Sequence, residues 1–325
     1  MSITFIRPPG SNDRFGDRKI GVIRKIRLSS IAVASLLVLF FITSLLAIKI
    51  PYVNYSRYEE TVPLRPEVEH RRTGETYDLY SVVLNSLDNK DINCYLKLPK
   101  TNVPYPAIAF FNGLDYGREV IDYADDSWWN TGYAAMTMDY RYSGSTTNKA
   151  LIFLQGRRAT HEAILDMRRM IEYLCSRDDI DSARIAVMAT SLGAVLAPPV
   201  AADNPRVKAV VMIQGGGDVG LIAANQFEVN RFVKRLIRYA ARVYYSPFEP
   251  LKYVRHISPT PSLFIIAEDD EVIPLESARR LAETAHEPKD IIYERTEHLY
   301  PGVTPQIDSI LTVAVPWIQN VMTEN

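Results

Sequence analysis

The chain has 325 residues, 47% hydrophobic and 23% charged, a composition ordinary for a globular protein with one large domain or two small ones. A formal net charge of −1 argues against the strongly basic surface that nucleic-acid binding requires, so no nucleic-acid partner is expected. Two cysteines, Cys94 and Cys175, are too few for a disulfide framework or a cysteine-based zinc site, and they leave the compartment unspecified.

Residues 1–27 form a basic segment, with Arg7, Arg14, Arg18, Lys19, Arg24, Lys25 and Arg27 set against Asp13 and Asp17. From Leu28 to Ile48, 21 residues carry no charge. As a helix rising 1.5 Å per residue they would span about 32 Å, enough for the hydrocarbon core of a bilayer. The positive flank predicts a cytoplasmic N-terminus, with the rest of the chain on the periplasmic or extracellular side. A cleaved signal peptide would want a shorter apolar core and a small-x-small site, which is not evident before Pro51. A buried core helix would show a polar stripe. The sequence therefore predicts a single transmembrane signal anchor over 28–50, followed by a linker over 51–75 that contains Pro51, Pro63 and Pro66.

Residues 76–325 predict one domain. Two strand-like runs flank the turn chemistry of Leu87–Asp91 and suggest an antiparallel hairpin. Thereafter short apolar strands alternate with helical patterns. Strands are predicted at 105–113, 133–141, 184–190, 207–215, 261–268 and 290–296. Helices are predicted at 157–176, from Leu192, at 275–285 and from about Pro305. Strands apolar on both faces and separated by helices imply a mainly parallel sheet with helices on both sides, an α/β fold. Residues 218–258 are too many for an ordinary crossover and predict a lid-like insertion. There Phe232, Leu236, Tyr239 and Val243 share one helical face, with Arg231, Lys234, Arg235, Arg238 and Arg242 mostly around the others. That pattern suits a lid resting on anionic lipid, or a packed helix with a solvated basic face, which is the more ordinary arrangement.

The stretch "MATSLGA" places Ser191 between an apolar strand and a helix, with Ala189 and Gly193 two residues to either side. Small residues at those positions permit a sharp strand-to-helix turn that lifts the serine oxygen from the sheet edge. A serine needs a base to take its proton. Of the five histidines, His298 alone follows the last strand at the carboxyl edge; His70 lies in the lead-in, His161 and His286 in helical stretches, and His256 before a strand. An acid must orient the base, and the run Glu268-Asp269-Asp270-Glu271 closes another strand at that edge. Asp270 is the first choice there and Asp269 the fallback. Asn112-Gly113 ends a strand, so the Leu114 amide could join that of Leu192 in an oxyanion hole.

The motifs "FFNG", "MDYRYSGST", "MATSLGA" and "AEDDEVIP" followed by "EHLY" resemble the α/β-hydrolase superfamily over roughly residues 76–322, in its esterase, dienelactone-hydrolase-like and serine-peptidase-like branches. The resemblance implies the order Ser191, Asp270, His298, with the acid four residues before Pro274. Ala189, Asn112 and Ala267 depart from the pattern without removing a catalytic atom. It further implies a serine hydrolase that needs no metal or organic cofactor, acting on a small-molecule, lipid or glycan acyl ester. A peptidase of the same superfamily, with Glu228 as a possible member of an amino-terminal clamp, is one alternative. A non-catalytic, membrane-anchored binding module is the other.

Overall fold

The computed structural model describes residues 53–55, 62–101, 103–114, 117–122, 132–141, 149–299 and 304–323. The predicted anchor at 28–50 lies outside them. Among the described residues, no helix is long and apolar enough to cross a membrane. The chain divides into two units, Met1–Thr43 and Ser44–Asn325, and the fold is that of the second.

Among the described residues, nine strands form one sheet: β1 (Glu67–Thr73), β2 (Tyr77–Asn85), β3 (Asp91–Pro99), β4 (Tyr105–Phe111), β5 (Ala134–Met138), β6 (Ile180–Thr190), β7 (Ala209–Ile213), β8 (Ser262–Ala267) and β9 (Lys289–Glu294). Their spatial order is β1-β2-β3-β5-β4-β6-β7-β8-β9. Strands β1, β2, β3 and β5 pair antiparallel, and every pairing from β5–β4 through β8–β9 is parallel. The helices are α1 (Lys149–Cys175), α2 (Leu192–Ala201), α3 (Val219–Asn225), α4 (Arg231–Tyr244), α5 (Pro250–Tyr253), α6 (Leu275–Thr284) and α7 (Thr304–Thr323).

The two-residue period of the strands divides the core. Ala107, Ala109, Phe111, Val187, Ala189, Val210 and Met212 pack with Met167, Met170, Ile171 and Leu174 of α1, with α2 and with α6. Ile108, Ala186, Met188, Val211, Ile213, Leu263 and Ile265 face the other way, against Ile310, Ala314, Ile318 and Met322 of α7. Burial on both faces explains why β7, and β8 after Ser262, read as unbroken apolar runs. The hairpin lies where the sequence puts it, with β2 and β3 in register from Tyr77↔Pro99 to Asn85↔Asp91. Asn89 in its turn has φ 57°, a conformation asparagine tolerates better than most residues.

Two expectations need correction. The stretch 51–75 is more than a linker, because β1 adds an edge strand and Tyr55 is buried beside the rings of His161 and Tyr253. Strand β1, EVEHRRT, is exposed along its whole length, so it shows no alternation by which it could be found. In the insertion, Phe232 and Leu236 point outward, 70% and 53% exposed, although an apolar face would ordinarily pack inward. Helix α4 turns half-buried Val233, Ile237 and Ala240 and fully buried Ala241 inward instead, and it is tied down by charge as well. The Asp218 carboxylate, almost fully buried, meets Arg238 at 2.6 Å and Arg280 of α6 at 2.9 Å, with Arg242 at 3.7 Å.

Candidate active site

Strands β4, β6, β7 and β8 are parallel, so the segments following them gather at one end of the sheet. Ser191 occupies the single residue between β6 and α2 and has φ 51°, ψ −117°, a conformation that costs a non-glycine residue on the order of 1–3 kcal/mol. The surroundings enforce it. The Ser191 amide donates to the Ile213 carbonyl of β7 at 3.0 Å, and its carbonyl accepts from Val195 of α2 at 3.0 Å. The Gly193 amide donates to the Asn112 carbonyl beyond β4 at 3.1 Å. A Cβ at Gly193 would collide with the Phe111 carbonyl, so this elbow position needs glycine. Ala189 pairs with Phe111 in the ladder and is fully buried, so a methyl is accommodated at the other small position.

Ser191 Oγ lies 2.9 Å from His298 Nε2, and His298 Nδ1 lies 2.8 Å from Asp270 Oδ2. An ionised carboxylate only accepts, so Nδ1 carries the proton and Nε2 is left to accept from the serine hydroxyl. The second Asp270 oxygen accepts from the amides of Val272 (2.8 Å) and Ile273 (2.7 Å), which orients the carboxylate within its own turn. The side chains of His298 and Asp270 are 6% and 2% exposed. Asp269, the fallback acid, uses its amide to bond the Thr296 carbonyl, while Asp270 makes the contact with the histidine. His161 instead stacks with Tyr55 and Phe248. Glu228 is an exposed residue between α3 and α4.

Leu114 and Leu192 follow β4 and β6, neighbouring parallel strands that end together at Phe111↔Ala189. Neither amide meets an acceptor among the described residues. The Asn112 carbonyl also takes the Tyr140 hydroxyl at 2.8 Å. Burial pushes the Tyr140 phenol far above its ordinary range and keeps it a donor.

Three polar contacts around His298 have no signature in the sequence. Gln214 Oε1 accepts from the Leu299 amide at 2.6 Å, and Gln214 Nε2 donates to the Glu297 carbonyl at 3.2 Å. The His298 amide donates to Glu271 Oε2 at 3.2 Å. A polar residue closing the apolar run VVMIQ was the only visible sign of Gln214.

The arrangement can deliver an activated oxygen nucleophile at a sheet edge, with unpaired backbone donors nearby. The profile of the acetyl xylan esterase (AXE1) family matches residues 54–214, just under half of the chain, a stretch that includes Ser191 and ends before Asp270 and His298. A quorum-quenching protein, AidA, of Acinetobacter baumannii (strain MDR-ZJ06) is 30% identical over 127 residues, 38% of this chain and 40% of AidA. The match thus spans less than half of that relative's length. Among solved structures, the acetyl xylan esterase from Paenibacillus sp. R4 superposes with a TM-score of 0.65 at 18% identity, covering 84% of this chain and 93% of that one. Acetyl xylan esterase 1 from Thermoanaerobacterium sp. JW/SL YS485 gives 0.64 at 17%, covering 85% and 93%. The α/β hydrolase GrgF from Penicillium sp. sh18 gives 0.55 at 19%, covering 75% and 99%. The sheet and its helices have the α/β-hydrolase fold, and the esterase profile supports an ester-hydrolysing enzyme.

Proposed function

We propose that the protein is a serine esterase that cleaves a carboxylic ester through an acyl-enzyme. The observation that carries this reading is the continuous relay from Ser191 Oγ through His298 to Asp270, each link under 3 Å. Ser191 attacks the acyl carbonyl while His298 Nε2 takes its proton and returns it to the departing alkoxide. Asp270 holds the imidazole and stabilises its cation. The Leu114 and Leu192 amides receive the oxyanion, and water, deprotonated by the same histidine, then releases the acid. The turn at Ser191 supports this order of events, because its strain holds the oxygen clear of the sheet before substrate arrives. The resemblance to acetyl xylan esterases favours a short acyl group on a carbohydrate hydroxyl.

The uncharged run at 28–48 and its basic flank support a membrane anchor that places this domain on the periplasmic or extracellular side. Alkaline extraction and protease accessibility of the full chain in cells test that reading. For the chemistry, the full chain and its Ser191→Ala variant are treated with a fluorophosphonate probe, then assayed on acetylated glycans, aryl acetates and dipeptidyl amides. Labelling lost only in the variant, with turnover of the acetates, is expected. A folded wild type that neither labels nor turns over ester overturns the esterase, and turnover of the amides alone assigns a peptidase instead.

A further inference from the structure

We propose that Gln214 is a positioning residue for His298, holding both peptide groups that adjoin the histidine Cα. The proposal rests on the esterase reading and concerns how its base is kept in place. Strand β9 ends at Glu294 and the described residues after it, 295–299, have no regular structure, so the ladder does not fix the backbone of His298. The Glu297 carbonyl belongs to the peptide before His298, and the Leu299 amide to the peptide after it. Gln214 donates to the first at 3.2 Å and accepts from the second at 2.6 Å. A single planar amide therefore grips the two planes whose relative rotation is the φ and ψ of His298. Glu271 adds a third hold through the His298 amide at 3.2 Å.

The chemistry selects this side chain. The fork requires a donor and an acceptor on one rigid plane at the reach of a glutamine. Turning the amide over would set oxygen against the Glu297 oxygen and nitrogen against the Leu299 N–H, so the hydrogen bonds themselves fix its orientation. The residue is 2% exposed, which leaves no solvent to replace either bond. Its backbone is built for the task as well. Gln214 stands directly after Ile213, the residue whose carbonyl anchors the Ser191 amide, and its own amide donates to Ile265 of β8 at 2.8 Å. It has φ 51°, unusual for a residue with a Cβ, and strain of this kind persists only where the surroundings over-determine it. The nucleophile and its base, 107 residues apart in sequence, are thus referenced to consecutive residues of one strand end.

The test uses Gln214→Met, which keeps length but loses the fork, and Gln214→Glu, which keeps the acceptor for Leu299 but sets an oxygen against the Glu297 carbonyl. Melting temperature is measured for both, with the rate of Ser191 labelling, kcat and KM on an acetate, and the low-field proton signal of His298 Nδ1–H. Expected for Gln214→Met is a fall in kcat and labelling rate of about 10- to 100-fold, as a displacement near 1 Å produces, with KM changed by less than about twofold and the proton signal shifted or broadened. Gln214→Glu is expected to show the same signature to a smaller degree, and it supplies the readout should the methionine variant fail to fold. Wild-type labelling and an unchanged proton signal in a folded variant overturn the proposal, even if the melting temperature drops, because the residue then serves packing alone. If the wild type itself is not labelled, the esterase reading fails. The proton signal needs no turnover and still reports on the clamp.

Discussion

The Gly193 amide donates to the Asn112 carbonyl at 3.1 Å, and this contact joins the turn that carries Ser191 to the loop that carries Leu114. Both loops follow strands that are neighbours in the sheet, so their spacing is set by one ladder. What the contact adds is closeness. It brings the start of α2 so near the end of β4 that a single methyl does not fit between them.

Gly193→Ala is therefore expected to push α2 away from Phe111 and to cost about 1–3 kcal/mol, the usual range for overpacking a tight site. Labelling of Ser191 should fall more steeply than stability, because the turn that aims the serine is the part displaced. Urea denaturation and fluorophosphonate labelling measured side by side check this. Equal labelling rates in wild type and variant would show that the elbow tolerates the shift.

Asp270→Asn keeps the shape of the acid and replaces its charge. The carboxamide oxygen remains able to accept from Val272 and Ile273, which turns its NH2 toward His298 Nδ1 and forces the proton to Nε2. The histidine then donates to Ser191 instead of accepting. A loss in kcat of about 10³- to 10⁴-fold is expected, with little change in melting temperature. A loss under tenfold would point to another acid.

Acid should loosen the link between the hairpin turn and the loop after β5. Burial opposes ionisation of Asp88, but hydrogen bonds from Ser86 and Arg141, with Lys90 beside them, outweigh it and hold its pKa at about 2, below the usual 3.8. The unfolded chain thus binds the proton more readily, and stability rises with pH across this window. The contribution is complete above about pH 4 and is lost as pH falls through about 2. Denaturation of wild type and Asp88→Asn between pH 2 and 5 should give curves that converge at the acid end. A gap independent of pH would assign the effect to packing.

The buried Asp218 carboxylate is the charge that holds α4 to the domain. Asp218→Asn removes the buried counter-ion that Arg238 and Arg280 share and leaves them the exposed Glu276, 4.0 Å and 2.6 Å away. The arginines keep 32% and 43% of their side chains in solvent, so the cost is moderated to about 1–3 kcal/mol. Limited trypsin digestion reads it locally, because Arg231, Lys234 and Arg235 lie in the first turns of α4. Faster cleavage there, with the rest of the domain intact, is the expected outcome, and unchanged cleavage would mean that other contacts retain the helix.

The sequence alone determined what depends on neighbours along the chain. Alternating and continuous apolar runs located the strands from β2 to β9, because their periods are local. The hairpin turn was legible from Leu87–Asp91, and the elbow from the small residues around Ser191. Asp270 and His298 were nameable because each ends a strand at the carboxyl edge, a position that follows from chain order in a parallel sheet. Contacts between distant segments were decided only by the tertiary structure. Strand β1 has no apolar period and is recognisable only by its pairing with β2. Arg168 reads as a surface charge on a helix, yet it is 2% exposed and donates to the Val200 carbonyl at 2.7 Å, at the end of α2. Phe232 and Leu236 look like core residues and lie outside, because Val233, Ile237, Ala240 and Ala241 form the face that turns inward while Asp218 pairs with Arg238. Gln214 carries no motif at all. Its fork reaches across 83 and 85 residues, and a hydrogen bond over that separation exists only once β7, β8 and the loop after β9 have been brought to the same end of the sheet.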